Sequence, residues 1–373
     1  MKKVLIIYKY LPQYRMEFFE QLKTQLVKYN VELQLIHGKS NKVDALKKDE
    51  ANIEWANCIP NRTIKAGSKV LIWQPVLSFL KNKDLIITLP ENKLLLNYYL
   101  MISRHFSKYK FAYWGHVYNM QKDLKSLRNI GKLMFLNRCD WWFGYTNSSK
   151  RFLVNRNYPE NKITVVQNSI ATSALRKCYS DITEKESHIL KKELGITGNN
   201  IAIYCGAMYP EKDFDFILEA CGNIKKELPD FHMIFIGSGI ESKKITNAEK
   251  KSPWIHYVGP KLGKDRVIYF KISSIQLMPR LVGLAIIDSF ALETPIITTT
   301  NSFHGPEIEY LENDVNGVKT DDNLNDYSQA IIKTLKDKKY NALTSGCKSS
   351  AEKYTIDKMV ENFLNGILMC LNN

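Results

Sequence analysis

The chain has 373 residues, 45% hydrophobic and 24% charged, with no low-complexity tract; this is enough for two ordinary globular domains and excludes a disordered or fibrous protein. Seven scattered cysteines, without a C-x-x-C pair, exclude a disulfide framework and a cysteine zinc site. A formal charge of +15 calls for anionic partners, and nucleic acid, acidic lipid and a phosphorylated small molecule all meet that demand.

Met1-Lys2-Lys3 followed by Val4-Leu5-Ile6-Ile7 opens like a signal peptide, but the apolar run stops at Tyr8-Lys9-Tyr10 and reads instead as a buried strand. No run approaches the roughly 18 apolar residues that span a bilayer. Strand and helix then alternate: a strand over 3–10, a helix over 16–28, a strand over 31–37, an irregular stretch, and a strand over 84–90. A helix from Leu94, a strand over 110–116, a helix from Gln121, a strand over 140–146 and a strand from Lys162 to Gln167-Asn168-Ser169 complete a doubly wound α/β layer.

Basic residues gather between 104 and 138, and Lys125, Arg128 and Lys132 share one helical face while Leu124, Leu127 and Met134 lie near another. That pattern suits a helix resting on an anionic membrane surface, and equally the solvated face of an ordinary helix. No nucleic-acid module is visible: there is no aromatic RNP pattern, helix-turn-helix or metal finger, so no nucleic-acid partner is expected.

Residues 171–198 turn to Ser, Thr, Lys and Glu and read as an interdomain linker with a charged helix. The alternation restarts with a strand over 200–205, a helix over 214–228, a strand over 232–236 closed by Gly237-Ser238-Gly239, a strand over 254–258 and a helix over 264–272. After Asn316-Gly317 the chain reads as helical to its end. The domains expected are 1–170, the linker 171–198, a second domain over 199–350, and a C-terminal helix over 351–373 that packs back toward the first domain.

The most informative segment is 278–298, a buried strand over 274–279, a tight loop, a helix opening near Gly283 and a second strand from Pro295. In an open parallel sheet the loop that carries a strand's carboxyl end into a helix is where ligands bind. Free amides after Gly283, the helix dipole and the missing side chain all suit a phosphate. Asp288 is the polar exception in an apolar run, to be explained either as a ligand contact or as an internally capped carboxylate.

With these residues the chain resembles the family-4 glycosyltransferases of GT-B fold. In the first domain Pro12-Gln13-Tyr14-Arg15-Met16-Glu17-Phe18-Phe19 is similar to the family's Pro-x-Tyr-Arg-x-x-Phe-Phe opening, and Tyr145-Thr146-Asn147-Ser148 and 162–170 resemble the segment entering the linker. In the second, Gly206-Ala207-Met208-Tyr209-Pro210-Glu211-Lys212 resembles the Gly-Arg-Leu-x-x-x-Lys loop, with Ala207 where an Arg is usual. The E-x7-E region has Asp288 at its second acid and Arg280 at its first. A subgroup with Pro-Gly-x-Val-Gly-Leu followed by His-x-Pro-Glu-x-x-Tyr-Leu matches Pro279 to Leu284 and His304 to Leu311 better.

The resemblance implies an α/β chain of two Rossmann-like domains facing each other across a cleft. It implies a retaining, metal-independent hexosyl transfer from a nucleotide-sugar to a cell-envelope polysaccharide or lipid-linked saccharide, with no cofactor beyond the donor. The location expected is the cytoplasm, with the basic stretch against the inner face of the membrane. Gly206, Lys212, Gly237, Gly283, Leu284, Asp288 and Glu307 are the donor-binding candidates, Asp288 at the ribose hydroxyls and Glu307 at the sugar. Arg280 is expected to supply the diphosphate cation missing at Ala207. Tyr14, Arg15 and His116 are the acceptor-side candidates, and His116, Lys212 and Arg280 the catalytic ones. A non-catalytic GT-B partner subunit and a nucleotide-sugar 2-epimerase are the alternatives.

Overall fold

The structure is a computed structural model that describes residues 1–40, 49–67, 69–117, 136–300 and 303–373. It divides into two compact units, Met1–Ala171 with Thr355–Asn373, and Thr172–Tyr354.

The first unit is built on seven strands: β1 (Lys2–Tyr8), β2 (Val31–Gly38), β3 (Asn57–Ile59), β6 (Leu85–Thr88), β7 (Lys110–Gly115), β8 (Trp141–Gly144) and β9 (Ile163–Val165). Their order is β3-β2-β1-β6-β7-β8-β9 and every neighbouring pair is parallel. Val4 to Tyr8 are all buried, which is why β1 reads as a continuous apolar run and not as an alternation: helices cover both faces. The irregular stretch holds β3 and an antiparallel hairpin, β4 (Arg62–Ala66) with β5 (Lys69–Trp73). The expected helix from Gln121, with most of the basic stretch, lies outside the described residues.

The last helix, Ile356–Asn372, belongs to this unit and packs against the helix Met16–Val27. Its Phe363 stacks on Phe143 at 4.3 Å and meets Trp114 at 4.8 Å and Phe18 at 5.2 Å between ring centroids. Truncating such a buried ring costs about 3–5 kcal/mol.

The second unit carries β10 (Ile201–Cys205), β11 (His232–Ile236), β12 (Ile255–Gly259), β13 (Ile275–Leu277), β14 (Ile296–Thr299) and β15 (Gly317–Thr320). Their order is β12-β11-β10-β13-β14-β15, all parallel. Residues 317–320 are thus a strand, paired in register with Ile296 to Thr299, and not the start of a helical tail. Four residues beginning with glycine carry too little periodicity to reveal this.

Residues 171–198 also differ from expectation. They form the helices Ser173–Asp181 and Glu184–Glu193, and Ile182, Leu190 and Ile196 enter the second unit's core. Three apolar residues so widely spaced give no amphipathic signal, although Thr183 and Glu186 form a capping box. Helix Ser242–Lys251, with Ile245 as its one buried residue, is equally silent in the sequence.

Each sheet reverses direction of growth at its first strand, between β1 and β6 and between β10 and β13. Those are the topological switch points, where crevices open at the strands' carboxyl ends.

Candidate functional site

At the second unit's switch point the loops after β10, β11 and β12 are laced together by backbone bonds. Gly206 N–H donates to Ile236 O at 3.0 Å, Met208 N–H to Ser238 O at 2.9 Å, and Gly237 N–H to Gly259 O at 3.0 Å. Gly237 has φ +136°, and a Cβ there would stand 1.9 Å from Gly206 O. No side chain fits, so the two expected glycines meet as bare backbone.

The chain after Gly206 turns through Pro210–Lys212 into the helix Phe214–Glu227, whose first turn is capped by Asp213. That turn aims Lys212 across the switch point: its Nζ donates to Leu281 O at 2.8 Å, in the loop after β13. Burial there brings the ammonium pKa down to about 8. Leu281 holds φ +51°, an uncommon backbone state for a leucine.

His304 braces the same loop. Val282 N–H donates to its Nδ1 at 3.1 Å, and its Nε2 lies 2.9 Å from Thr299 O. One nitrogen must accept and the other donate, so the ring is the neutral Nε2–H tautomer. Burial lowers its pKa, and Lys319, Arg280 and Lys212 push the same way. Gly305 N–H donates to Val282 O at 2.7 Å. Glu307, 3% exposed, turns back on this loop, with Oε2 3.9 Å from where a Cβ on Gly283 would stand. Lys212, Gly283 and Glu307 are therefore gathered on one loop, and Leu284 leads from it into the helix Ala285–Ala291.

Asp288, on that helix, has a partner the sequence does not reveal. Arg266 Nη1, from the helix Gly263–Ile272, donates to Asp288 Oδ2 at 3.0 Å, while Oδ1 is buried without a hydrogen bond. Burial pushes the Asp288 carboxyl up, and Arg266 offsets this in part. The pair joins residues 22 positions apart across a helix-strand crossover, beyond the reach of any local spacing.

Arg280 stands differently from expectation. Its guanidinium bonds Asp322, lies 3.5 Å from Asp213 Oδ2, donates to Thr299 Oγ1 at 2.9 Å and covers the Phe216 ring at 4.7 Å. Two carboxylates share its charge, which makes it a clamp between loops. Asp213-Phe214-Asp215 has the Asp-x-Asp spacing. Asp213 caps a helix and faces Arg280, and Asp215 pairs with Lys244 at 2.6 Å. Among the described residues no three His, Cys, Asp or Glu side chains gather as a metal site.

The first unit's switch point holds a cavity of about 320 Å³ lined by Tyr8, Lys9, Tyr10, Pro12, Tyr14, Leu89, Pro90, Glu91, Trp114, Gly115, His116 and Tyr145. His116 is exposed at the end of β7, its ring edge-on to Tyr145 at 4.7 Å. Tyr14 is 41% exposed and shares the wall. Arg15 does not. It is 1% exposed and bonds Asn168 Oδ1, Ser169 O at 3.2 Å and Met359 Sδ at 3.4 Å, tying the start of its helix to the last helix of the chain. The turn Gln13–Arg15 sends neighbouring side chains opposite ways, which the motif cannot show.

Among the described residues no helix is long and apolar enough to cross a membrane. The family model described as glycosyl transferases group 1 matches residues 186–350. An uncharacterized glycosyltransferase of Haemophilus influenzae is 22% identical over 268 residues, covering 69% of each chain. Anabaena HepE, solved in complex with UDP, is 12% identical over 99% of this chain and 100% of that one, with a TM-score of 0.70. The lipopolysaccharide outer core galactosyltransferase WaaB is 12% identical over 98% of this chain and 99% of that one, with a TM-score of 0.65. The chain is thus similar to glycosyl transferases group 1 over residues 186–350, and it carries the GT-B fold of these glycosyltransferases.

Proposed function

We propose that the chain is a retaining glycosyltransferase that moves a hexosyl group, without a metal, from a nucleotide-sugar to a cell-envelope polysaccharide or lipid-linked saccharide. The observation that carries this reading is Lys212, whose ammonium crosses the switch point to the Gly283 loop. Breaking a sugar-phosphate bond leaves extra negative charge on the diphosphate, so a preorganised cation and amide donors at that place lower the barrier. Lys212 is the cation, and the amides of Gly283 and Leu284 are the donors. Gly206 and Gly237 let the loops after β10 and β11 pack backbone to backbone beside that place. Asp288 accepts from the ribose hydroxyls, held by Arg266, and Glu307 accepts from sugar hydroxyls in place of the acid absent at position 280.

His116 and Tyr14, in the aromatic cavity of the first unit, are the acceptor-side groups. His116 orients or deprotonates the acceptor hydroxyl. Metal independence draws support from Asp213 and Asp215, whose carboxylates are each engaged by a basic side chain. HepE was solved in complex with UDP and WaaB is a lipopolysaccharide outer core galactosyltransferase, and both favour this donor and acceptor class here.

The test is turnover of a panel of UDP-, GDP- and ADP-sugars, with the anomeric configuration of the product read by NMR. One donor is expected to be consumed with its configuration kept. An inverted product would overturn the retaining assignment, and a folded protein that consumes no donor would be a non-catalytic homologue.

A further inference from the structure

At the amino-terminal ends of β6 and β7 the first unit has another recess, of about 520 Å³, whose wall includes Leu77, Lys81, Lys83, Tyr99 and Lys108. It lies at the opposite end of these strands from the cavity lined by His116. The helix Leu95–Ser103 buries Leu96, Asn97 and Leu100, which leaves Tyr99 and Ile102 outward on neighbouring turns. The turn continues past the helix, His105 N–H donating to Ile102 O at 3.2 Å and Phe106 N–H to Ser103 O at 3.0 Å. Phe106 thereby reaches the surface just before Ser107 and Lys108 enter the recess wall. Ile102 is 65% exposed and Phe106 87%.

Large apolar side chains scattered singly over a surface are ordinary, but here Leu77, Tyr99, Ile102 and Phe106 are all exposed at or beside one recess. The charges around them are mainly positive: Lys81 and Lys108 are exposed and Lys83 half-buried. Asp84, the one carboxylate in the wall, accepts from Lys2 Nζ at 2.9 Å and from the Lys3 amide at 2.7 Å. Glu32 is shared between Lys3, at 3.7 Å, and Lys83. A second copy of the chain, itself +15, would set lysines against lysines here. A bilayer with anionic headgroups meets all three parts instead: phosphates for the lysines, the interfacial depth for tyrosine, and the acyl boundary for Ile102 and Phe106. A ring as exposed as Phe106 stands on a convex point, which a fluid phase accommodates without a matching pocket.

We propose that this face of the first unit, Leu77, Tyr99, Ile102 and Phe106 within a rim of Lys81, Lys83 and Lys108, docks on an anionic lipid bilayer. It is a different set of residues from Lys125, Arg128 and Lys132, which lie outside the described residues.

The experiment is co-sedimentation of the full chain with vesicles of phosphatidylcholine alone and of phosphatidylcholine with about one third phosphatidylglycerol. The anionic vesicles are expected to bind at least about tenfold tighter, with affinity falling as salt is raised. Ile102→Ser with Phe106→Ser is expected to weaken that binding about tenfold and to keep its salt dependence, because only the apolar part is lost. Lys81→Gln with Lys83→Gln and Lys108→Gln is expected to weaken it at least about tenfold and to flatten the salt dependence. Lys243→Gln with Lys250→Gln and Lys251→Gln, which removes the same charge from the exposed side of a helix in the second unit, is expected to stay within about twofold of the parent. All the substituted side chains except Lys83 are exposed, so each variant is expected to keep the parent's thermal midpoint. Equal binding to both vesicle types, binding to neither, or a loss shared by the second-unit variant would overturn the proposal; with binding to neither, an acidic protein surface would be the occupant left. Anionic binding that survives both first-unit variants and fails in Lys125→Gln with Arg128→Gln and Lys132→Gln would overturn it as well. Vesicle binding is read without donor or acceptor, so a donor panel that fails would count against the transferase and leave this result standing.

Discussion

Around the ends of β1, β6, β7 and β8 the first unit sets four tyrosines, a tryptophan and a histidine, whereas at the ends of β10, β11 and β13 the second unit sets glycine backbone and one buried lysine. The parallel sheets beneath share one order of growth. Bare backbone lets a phosphate come within hydrogen-bond distance of amides, while ring faces offer area and stacking to a sugar or an apolar group. On the function proposed above one scaffold divides the work through its loops, and the division can be attacked in either unit.

The largest effect is expected from Lys212→Met. Removing the cation on the Gly283 loop should lower kcat/KM for the donor about 10²–10³-fold, while His116→Ala in the first unit leaves UDP affinity within about twofold. Turnover kinetics and calorimetry check the pair, and UDP affinity that falls with His116 instead would erase the distinction between the two units' sites.

Gly237→Ala comes next. A methyl group 1.9 Å from Gly206 O, at a backbone angle alanine disfavours, should cost about 3 kcal/mol, read as a lower urea midpoint of the second unit's transition. An unchanged midpoint would mean that these loops are not in contact as described.

Arg280→Ala should cost about 1–2 kcal/mol of stability, because Asp213 and Asp322 lose their shared cation and are partly solvated already. Donor kcat/KM should stay within about fivefold of the parent. A loss as deep as that of Lys212→Met, in a variant of normal stability, would restore Arg280 to the diphosphate.

The smallest effect concerns pH. Burial leaves Lys212 with a pKa of about 8, so UDP affinity should hold up to that pH and decline above it as the ammonium loses its proton. Stability should move the other way. Between about 8 and the 10.5 of an unfolded lysine the unfolded chain binds the extra proton, so this residue's contribution rises with pH across that window. Paired titrations of the parent and Lys212→Met isolate both slopes.

What could be read from the chain follows the physics of each element. β1 and β10 are buried on both faces and announce themselves as apolar runs, and Gly206 and Lys212 sit in a motif whose spacing survives. β15 and the β4–β5 hairpin are too short or too exposed for a pattern. The Asp288–Arg266 pair depends on how one helix crosses another, which no local spacing encodes. Arg15 and Arg280 show a further limit: their positions were visible, but the direction of a side chain is set by a single turn of backbone, and both arginines face inward.

The most direct test of the donor assignment is calorimetric titration of UDP, GDP and ADP into the parent chain, Lys212→Met and Asp288→Ala. The account predicts that one nucleotide binds the parent and that each substitution weakens it at least about tenfold, Lys212 through the diphosphate and Asp288 through the ribose. A nucleotide that binds all three proteins equally would contradict it.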